Sequence, residues 1–351
     1  MVVIHQMNAL LRWLHCMAKV LVLSSNTGFP FEVWRHSAAF LLKHSAELDT
    51  HGQHTLTDDP VEADLILFGE MGTSGQLAEM VRAHPYYRRF AEKCFVFDSG
   101  DLLLPTVPGI YASLTKDQYR LGYTRTGFYL YLIENAFITS RPCSGNEKHL
   151  ASFVGSRNTH PVREGLFELG RSDICVKDTS SLSQRTTYHG DPSERARFWA
   201  EYADAIADAK FSLCPRGRGV GSIRLYESMK MGRACVILSD DWQPNDGLSW
   251  SEFSIIVPEN QVRRIPEILE RNEHRAVTMG ARARQAWEAR FSEQVRFHHV
   301  VELCLDIRSQ ASNHWLARQL RFIRQAGNPK HFRRYWSSKM NIYRNTGKLY
   351  W

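Results

Sequence analysis

The sequence predicts an α/β protein that consists of two αβα halves in series. Short apolar runs alternate with stretches of helical spacing, which is the pattern of helices packed on a parallel sheet. The polar segment "RPCSGNEK" (Arg141–Lys148) interrupts this alternation, which then starts again, so we expect a domain junction there. A chain of 351 residues is long enough for two domains that each bury a full core.

We predict three parts along the chain, with the first boundary at this junction. They are an N-terminal domain over residues 17–144, a C-terminal domain over residues 145–290, and C-terminal helices with a basic tail over residues 291–351. The composition, 43% hydrophobic and 23% charged, is that of a folded globular protein and excludes a disordered one.

Three apolar runs of the N-terminal half are predicted strands: "KVLVLSS" (Lys19–Ser25), "ADLILFGE" (Ala63–Glu70) and "CFVFDSGD" (Cys94–Asp101). The last two are continuously apolar before their polar ends, as is typical of strands buried on both faces of a parallel sheet. The segments "PFEVWRHSAAFLLKHS" and "SGQLAEMVRAHPYYRRFAEK" have helical spacing, the second on both sides of Pro85. The stretch "LLLPTVPGIYASL" is rich in proline and glycine, so we expect a loop.

The C-terminal half repeats the alternation with five predicted strands, "LASFVGS", "DICVKD", "FSLCP", "ACVILSD" and "FSIIVPE". The helix "HPVREGLFELG" is expected to stop at Gly170, and "DPSERARFWAEYADAIADAK" has the Asp/Ser start of a helix. Further helices are predicted over Ser222–Met231 and over about 260–272 and 274–290.

Cysteine usage and the N-terminus bear on the compartment. The seven cysteines are odd in number and show no CxxC spacing, which favours buried free thiols in a reducing compartment. The sequence contains no run of about 18 apolar residues, so no transmembrane helix is expected. Arg12 and His15 interrupt the N-terminal apolar run and no cleavage site follows, so no signal peptide is expected. Residues 1–16 are either a short amphipathic helix or the product of an upstream start codon, with Met17 as a natural start.

The loop after the strand "FSLCP" has the chemistry of a diphosphate site. It contains three glycines together with Arg216 and Arg218, and glycine permits positive φ and close approach of a ligand. The amides of the next helix point into the same space, where the helix dipole favours an anion. Arg224 adds a guanidinium in the first helical turn, and Glu227 lies three residues later on the same face. Glu227 is therefore predicted to bind ribose hydroxyls, and the alternative is an ion pair of Arg224 with Glu227 within the helix. The loop has neither the GxxxxGK[ST] order of a Walker A motif nor the GxGxxG order of a dinucleotide fold.

The 49-residue stretch that begins with "FSLCPRGRGVGSIRLYES" and ends with "SWSEFSIIVPE" resembles the exostosin-type glycosyltransferases. The order of strand, Cys-Pro, glycine loop, Ser-x-Arg, Glu and Ser-Asp turn is similar to the family signature. "DDPVEADLILFGE" and "ASFVGSRNTHPVREGLFEL" resemble two further elements of the family, so the likeness spans most of the chain.

The resemblance implies a GT-B fold, in which two Rossmann-like domains face each other across a cleft and C-terminal helices brace them. It also implies inverting transfer from a nucleotide-sugar, expected to be a UDP-sugar, to a glycan or lipid-linked saccharide. Arg224 would hold the diphosphate and Glu227 the ribose, while Gly219, Gly221 and Ser222 would line the phosphate loop. The chain resembles a free-standing, cytoplasmic bacterial member of the family. The alternative is a non-catalytic nucleotide- or glycan-binding protein that retains the fold.

Inverting transfer needs a base that takes a proton from the acceptor hydroxyl. Carboxylates at the carboxyl ends of N-terminal strands suit this role: Glu70, and with preference Asp98 and Asp101. Each Asp has the alternative role of capping a turn. Asp240, in the turn "SDD", is a further candidate for donor hydroxyls, with a turn again as the alternative.

No metal site and no cofactor are expected, because the 15 histidines show neither HxH nor HExxH spacing. His51 and His54 lie in a polar loop, and His298 and His299 lie on a terminal helix.

Basic residues with no acidic residue between them define a C-terminal tail (Arg318–Trp351) that suits an anionic membrane surface, such as the inner membrane face. A solvated basic face is the alternative. Nucleic acid is an unlikely partner because no nucleic-acid-binding module precedes the tail. The tail's basic residues are Arg318, Arg321, Arg324, Lys330, Arg333, Arg334, Lys339, Arg344 and Lys348.

Overall fold

Two parallel β-sheets, one in each half of the chain, form the framework of the protein in a computed structural model. Each sheet is built from strands that are consecutive in the sequence, and every pair of neighbouring strands is parallel. The structure describes residues 17–24, 37–70, 76–101, 103–130, 134–181 and 191–311, together with isolated positions between 320 and 344. Residues 1–16, including Cys16, and most of the basic tail lie outside the described residues.

The N-terminal sheet has six strands in the order β2-β1-β3-β4-β5-β6. The strands are β1 (Lys19–Leu23), β2 (Thr55–Leu56), β3 (Leu65–Glu70), β4 (Cys94–Asp98), β5 (Gly109–Tyr111) and β6 (Thr124–Thr126). Its helices are α1 (Ala38–Glu47), α2 (Gln76–Ala83) and α3 (Pro85–Phe90). Strands β1, β3 and β4 were all predicted from apolar runs. Helix α2 ends just before Pro85 and helix α3 begins at it, as predicted.

The composition of the stretch "LLLPTVPGIYASL" predicted a loop. In the structure this stretch also contains a strand, β5. The strand is three residues long, and its first residue must be a glycine. A Cβ atom at Gly109 would collide with the carbonyl oxygen of Val96 on the neighbouring strand. Glycine therefore permits close pairing here rather than a turn.

The C-terminal sheet has five strands in the order β11-β10-β9-β7-β8. The strands are β7 (His149–Gly155), β8 (Ile174–Asp178), β9 (Ala209–Pro215), β10 (Ala234–Leu238) and β11 (Ser254–Ile256). Its helices are α4 (Pro161–Phe167), α5 (Pro192–Ala207), α6 (Ile223–Met231), α7 (Ile265–Asn272) and α8 (Ala276–Arg290). The sequence predicted all five strands, and Gly170 does adopt the positive φ of a helix stop.

The last described helix, α9 (Arg296–Gln310), returns to the N-terminal half and packs on α1, β5 and β6. Its buried residues Phe297 and Val301 belong to one apolar cluster with Phe97 of the N-terminal sheet and Leu225 of α6. The expectation that C-terminal helices brace the two halves therefore agrees with the packing of α9. The residue boundaries of the predicted domains stay predictions.

The carboxyl ends of the two sheets face each other. The segment after β5 pairs with the segment after β10, where Thr115 and Trp242 form an antiparallel bridge and the Gln243 amide donates to the Leu114 carbonyl at 3.0 Å. Two parallel α/β sheets apposed through their strand ends confirm the predicted GT-B arrangement. Within the described residues, no helix combines the length and apolar character needed to cross a membrane. None of the six described cysteines takes part in a disulfide bond.

Candidate active site

The predicted diphosphate loop, residues 216–221, connects β9 to α6 at the edge where the two sheets meet. Its glycines pack against the N-terminal half. A Cβ atom at Gly219 would collide with the Ser113 hydroxyl and the backbone of Asp101, and one at Gly221 would lie 2.7 Å from the hydroxyl oxygen of Tyr129. The Gly221 amide also donates to the Ser113 hydroxyl at 3.1 Å.

The expectation that glycines of this loop adopt positive φ is wrong, because the described glycines with positive φ all lie elsewhere. The observed reason for Gly219 and Gly221 is close approach of the opposite half of the protein. The glycines thus fix the width of the cleft beside the predicted phosphate position.

The helix that follows has an uncapped N-terminus. Ser222 occupies the N-cap position of α6, but its hydroxyl makes no capping bond. By contrast, the N-cap side chains of α1 and α5, Ser37 and Asp191, each accept a bond from a backbone amide. The first amides and the positive end of the α6 dipole can therefore serve an external anion.

Arg224 lies in the first turn of this helix and is 7% exposed. One of its Nη atoms donates to the Val154 carbonyl, and its guanidinium carbon lies 4.5 Å from the ring centre of Phe153 and 5.0 Å from that of Tyr202. Its Nε is buried and has no hydrogen-bond partner. Among the described residues, no carboxylate oxygen lies within 4.0 Å of its guanidinium nitrogens, so the helix contains no direct ion pair of Arg224 with Glu227.

A second, partly buried guanidinium lies beside the first. Arg163, on α4, donates from Nε to the Arg216 carbonyl at 2.8 Å and from Nη1 to the Ser156 carbonyl at 2.9 Å. Burial, followed by the charge of Arg224, lowers the pKa of Arg163 to about 10, so it stays protonated at neutral pH. Two like charges in a buried position favour an anion between or beside them.

Glu227 is held by an aromatic hydroxyl. Tyr202, on α5, donates from its hydroxyl to Glu227 Oε2 at 2.5 Å, and the same ring lies against Arg224. Burial raises the pKa of Glu227 above its usual value, while the Tyr202 bond and the charge of Arg224 oppose that rise. Arg224, Tyr202 and Glu227 therefore form one connected unit.

A cavity of about 70 Å³ borders this unit. It lies between α6, α8 and α9 and has both polar and aromatic walls. Its lining includes Tyr129, Glu134, Ile223, Glu227, Trp287 and Arg296. An amphipathic cavity next to a carboxylate and a helix N-terminus can accept the polar ring of a small ligand.

The two preferred base candidates have different surroundings. Asp98 is 3% exposed, and its Oδ1 accepts the Gly100 amide at 2.8 Å, which is the turn-capping alternative for this residue. Asp101 is exposed, its Oδ1 accepts the Tyr129 hydroxyl at 3.0 Å, and its charge acts on Arg163 across the cleft. Asp101 is thus the carboxylate that faces the arginines. Glu70 pairs in register with Asp98 at the end of β3, and its side chain lies outside what the structure describes.

Two predicted donor residues form a separate group with Glu259. Arg216 lies 3.6 Å from a Glu259 carboxylate oxygen, and Asp240 Oδ1 accepts the Glu259 amide at 3.1 Å. This bond joins the turn after β10 to the segment after β11, and the donor role of Asp240 stays a prediction. Arg218 is exposed to solvent.

The sequence missed Arg163, Tyr202, Tyr129 and Phe153. Arg163 lies in the quoted segment "HPVREGLFEL", where a basic residue near the start of a helix was a usable signal. The other three are aromatic residues on other elements, and aromatic residues at helix or strand positions ordinarily indicate core packing. Only the fold shows that they surround Arg224 and Asp101.

Comparison with known proteins agrees with the resemblance. Residues 130–272 match the Exostosin GT47 domain. The Exostosin-1 homolog of Caenorhabditis elegans is 29% identical over 170 residues, covering 44% of this chain and 44% of that protein. Exostosin-1 of Drosophila melanogaster is 27% identical over 197 residues, covering 51% of this chain and 25% of that protein. The chain therefore spans less than half the length of these curated relatives.

Among solved structures, MurG of Acinetobacter baumannii aligns with a TM-score of 0.39 at 12% identity, covering 82% of this chain and 99% of that chain. A likeness this weak carries no argument about the site. The matched residues 130–272, by contrast, contain the loop, α6 and the residues around Arg224. Over this region the chain is similar to the Exostosin GT47 domain and to the exostosin proteins.

Proposed function

We propose that the protein is an inverting glycosyltransferase that moves a sugar from a nucleoside-diphosphate sugar to a saccharide acceptor. The observation that carries the proposal is the buried guanidinium of Arg224, with the partly buried guanidinium of Arg163 beside it, at an uncapped helix N-terminus. Arg224 has an unpartnered Nε and no carboxylate partner among the described residues. Burial and then the nearby charge of Arg224 lower the pKa of Arg163. A diphosphate supplies the negative charge that this arrangement favours.

The proposed ribose contact follows from the position of Glu227. Its carboxylate borders the cavity beside α6 and has one oxygen bonded to Tyr202, which leaves the other available to hydroxyl donors. A carboxylate next to a phosphate site is suited to ribose hydroxyls. The choice of uracil as the base rests on the resemblance to the exostosin family.

Asp101 is the proposed catalytic base. Its carboxylate would take the proton of the acceptor hydroxyl while that oxygen attacks the anomeric carbon from the face opposite the leaving group. The bond between the anomeric carbon and the diphosphate oxygen would break, and the diphosphate would leave with the electron pair. Arg224 and the α6 amides would stabilise the charge that develops on it. The bond from Tyr129 would orient the carboxylate, since it holds Asp101 Oδ1 at 3.0 Å.

The transfer is proposed to need no metal ion at the donor, because guanidiniums and helix amides supply the positive charge there. The acceptor is proposed to be a glycan or a lipid-linked saccharide, and the location cytoplasmic. These statements rest on the family resemblance and on the basic C-terminal tail.

The test combines turnover with binding. The full chain is incubated with a panel of UDP-sugars, UDP release is followed, and Asp101→Asn is compared with Asp98→Asn. We expect Asp101→Asn to retain UDP affinity and to lose about 10²- to 10⁴-fold in turnover. Asp98→Asn should lower the melting temperature more than it lowers turnover, because the Asp98 side chain caps a buried turn. Equal turnover of Asp101→Asn and the unchanged chain would refute the assigned base.

The second candidate is a non-catalytic protein that binds a nucleotide or a glycan. The exposure of Asp101 and its single hydroxyl contact would then have no chemical purpose. Tight UDP binding without release of UDP from any sugar in the panel, with or without a saccharide acceptor, would favour this candidate.

A further inference from the structure

Histidines that lie about 250 positions apart in the sequence meet at the side of the N-terminal half. His51 and His54 lie in the segment between α1 and β2, and His298 and His299 lie in the first turn of α9. The ring centres of His51 and His298 are 3.9 Å apart, and those of His54 and His298 are 5.1 Å apart. Sequence analysis did not bring these residues together, because neither pair has metal-ligand spacing by itself.

A carboxylate completes the group. His54 Nε2 lies 3.0 Å from Oε1 of Glu302, which is one turn after His298 on the same helix. His54, His298 and Glu302 each offer one ligand atom, and these three atoms lie within 4.8 Å of one another. The His54 side chain is fully buried and that of Glu302 is 24% exposed.

Several buried polar atoms of this group have no hydrogen-bond partner. They are Nδ1 of His54, Nδ1 of His298 and Oδ1 of Asp49, whose charge acts on His298. A buried polar atom without a partner costs free energy, and three in one cluster are uncommon in folded proteins. The cluster therefore has the donor atoms of a ligand site.

We propose that His54, His298 and Glu302 bind one Zn²⁺ ion. Two imidazoles and one carboxylate form a donor set that zinc favours, with ligand distances of about 2.0–2.2 Å. Zn²⁺ would sit between the His54 nitrogen and the Glu302 oxygen and replace their direct hydrogen bond. The ring of His51 stacks on that of His298 and would cover the site.

The site would have a structural role, because it joins α9 to the N-terminal half. Neighbouring bonds make the same connection: Thr50 donates its amide to the Gln294 carbonyl at 2.9 Å, and the Phe297 amide donates to the Ser45 hydroxyl at 3.2 Å. None of the three proposed ligands contacts Arg224 or Asp101 in the described structure. The proposal therefore stands independently of the glycosyltransferase function.

The experiment uses the full chain without a histidine tag, after removal of metal with a chelator. Co²⁺ is titrated in and followed by its visible absorption, which reports the coordination geometry, and Zn²⁺ is then used to displace it. The variants are His298→Gln and Glu302→Gln. The matched control is His274→Gln, which removes an exposed histidine from the other half of the protein.

We expect the unchanged chain and His274→Gln to bind about one metal ion and to gain melting temperature with Zn²⁺. His298→Gln and Glu302→Gln should each lose at least tenfold in affinity and most of the gain in melting temperature. UDP affinity should stay the same in all four proteins. If His298→Gln does not fold, Glu302→Gln decides the matter, since glutamine keeps the size and the hydrogen bond to His54.

Two results would overturn the proposal. One is the absence of Co²⁺ absorption in the unchanged chain at metal concentrations in excess of protein. The other is equal metal affinity of the unchanged chain and Glu302→Gln. In either case the cluster is a hydrogen-bonded His54–Glu302 pair.

Discussion

Two buried arginines, one in each half of the molecule, have opposite surroundings. Arg125 follows the first residue of β6 and is 1% exposed. Its Nε and Nη2 donate to the same Asp306 carboxylate oxygen, at 3.0 and 2.5 Å. The Nε atom also lies 3.4 Å from a carboxylate oxygen of Asp246. The remaining nitrogen, Nη1, donates to backbone carbonyls, including that of Thr124 at 2.8 Å. Arg224 has one carbonyl, two aromatic rings and an unpartnered Nε.

The difference separates a structural arginine from a binding one. Arg125 connects three parts of the chain, because Asp306 lies on α9 and Asp246 in the segment after β10. All of its nitrogens are used within the protein. Arg224 keeps its charge buried without an anion, which is unfavourable unless a ligand provides one. Four changes test whether this contrast is real.

The largest effect is expected from Arg125→Met, which removes the charge that joins β6 to α9. Removing one partner of a buried ion pair typically costs about 3–5 kcal/mol, and partial exposure of Asp306 and Asp246 places the expected loss near 3 kcal/mol. Urea unfolding measures the loss. The matched control, Arg263→Ala, removes an exposed arginine and should change the free energy of unfolding by less than about 0.5 kcal/mol.

If Arg125→Met unfolds at the same urea concentration as the unchanged chain, the ion pairs of Arg125 are not what holds α9 in place. If UDP affinity falls more than stability does, Arg125 acts on the donor site and the contrast with Arg224 is lost.

Arg224→Ala should give the reverse result. Loss of a charge-assisted bond to the diphosphate should weaken UDP binding by about 1.5–3 kcal/mol, or roughly ten- to a hundredfold, and nearly abolish transfer. The melting temperature should change less than in Arg125→Met, since no carboxylate is left unpaired. Calorimetric titration with UDP, UMP and uridine measures the effect, and uridine should lose the least. Unchanged UDP affinity would contradict the assignment.

Glu227→Gln should have a smaller effect that depends on the sugar of the nucleotide. We expect the preference for UDP over 2′-deoxy-UDP to fall by about 1 kcal/mol, or roughly fivefold, because one hydrogen bond to a ribose hydroxyl is weakened. Titrations with both nucleotides measure this. If the melting temperature falls sharply while UDP affinity is unchanged, Glu227 has only the structural role of holding Tyr202.

The raised pKa of Glu227 adds a pH dependence with a definite sign. The folded protein favours the protonated carboxyl, so its contribution to stability is present below the usual pKa and is lost as pH rises through the raised pKa. Ribose binding needs the ionised form, so UDP affinity should fall as pH decreases through that same raised pKa. Glu227→Gln should show neither dependence.

The alternation of apolar runs was sufficient to predict the main strands and the two-sheet fold. Strands β3, β4 and β10 are continuous apolar runs up to their carboxyl ends, and burial on both faces produces that pattern directly. The strands that were missed, β2, β5 and β6, have two or three residues each, which is too short for a periodic signal.

The site was predictable only where it is local. Ser222, Arg224 and Glu227 lie within one helix, so their spacing already placed them together. The partners that decide their roles come from elsewhere: Tyr202 from α5, Arg163 from α4 and Asp101 from the other sheet. The histidine cluster was missed for the same reason, because its two segments meet only when α9 returns to the N-terminal half.

The basic tail carries a third class of arginine, whose partner would lie outside the chain. Among the few tail positions that the structure describes, Phe332, Trp336 and Tyr343 are exposed, with 52%, 36% and 45% of their surface accessible. The hypothesis is peripheral membrane association, in which each basic residue near an anionic surface contributes about 1 kcal/mol or less and the aromatic residues settle at the interface. This is the smallest effect per residue, and salt should screen it.

Co-sedimentation with vesicles tests the tail, with anionic and neutral lipids and with the full chain and a chain that ends at Gln325. We expect the full chain to prefer anionic vesicles at low salt and the shortened chain to lose that preference while it keeps its UDP affinity. A high-salt arm should abolish the difference between the two proteins, because exposed charges are screened within about a Debye length. Equal binding of both proteins at low salt would show that the tail arginines do not bind the membrane surface. A loss of UDP affinity in the shortened chain would place them instead with Arg125, as residues that support the fold.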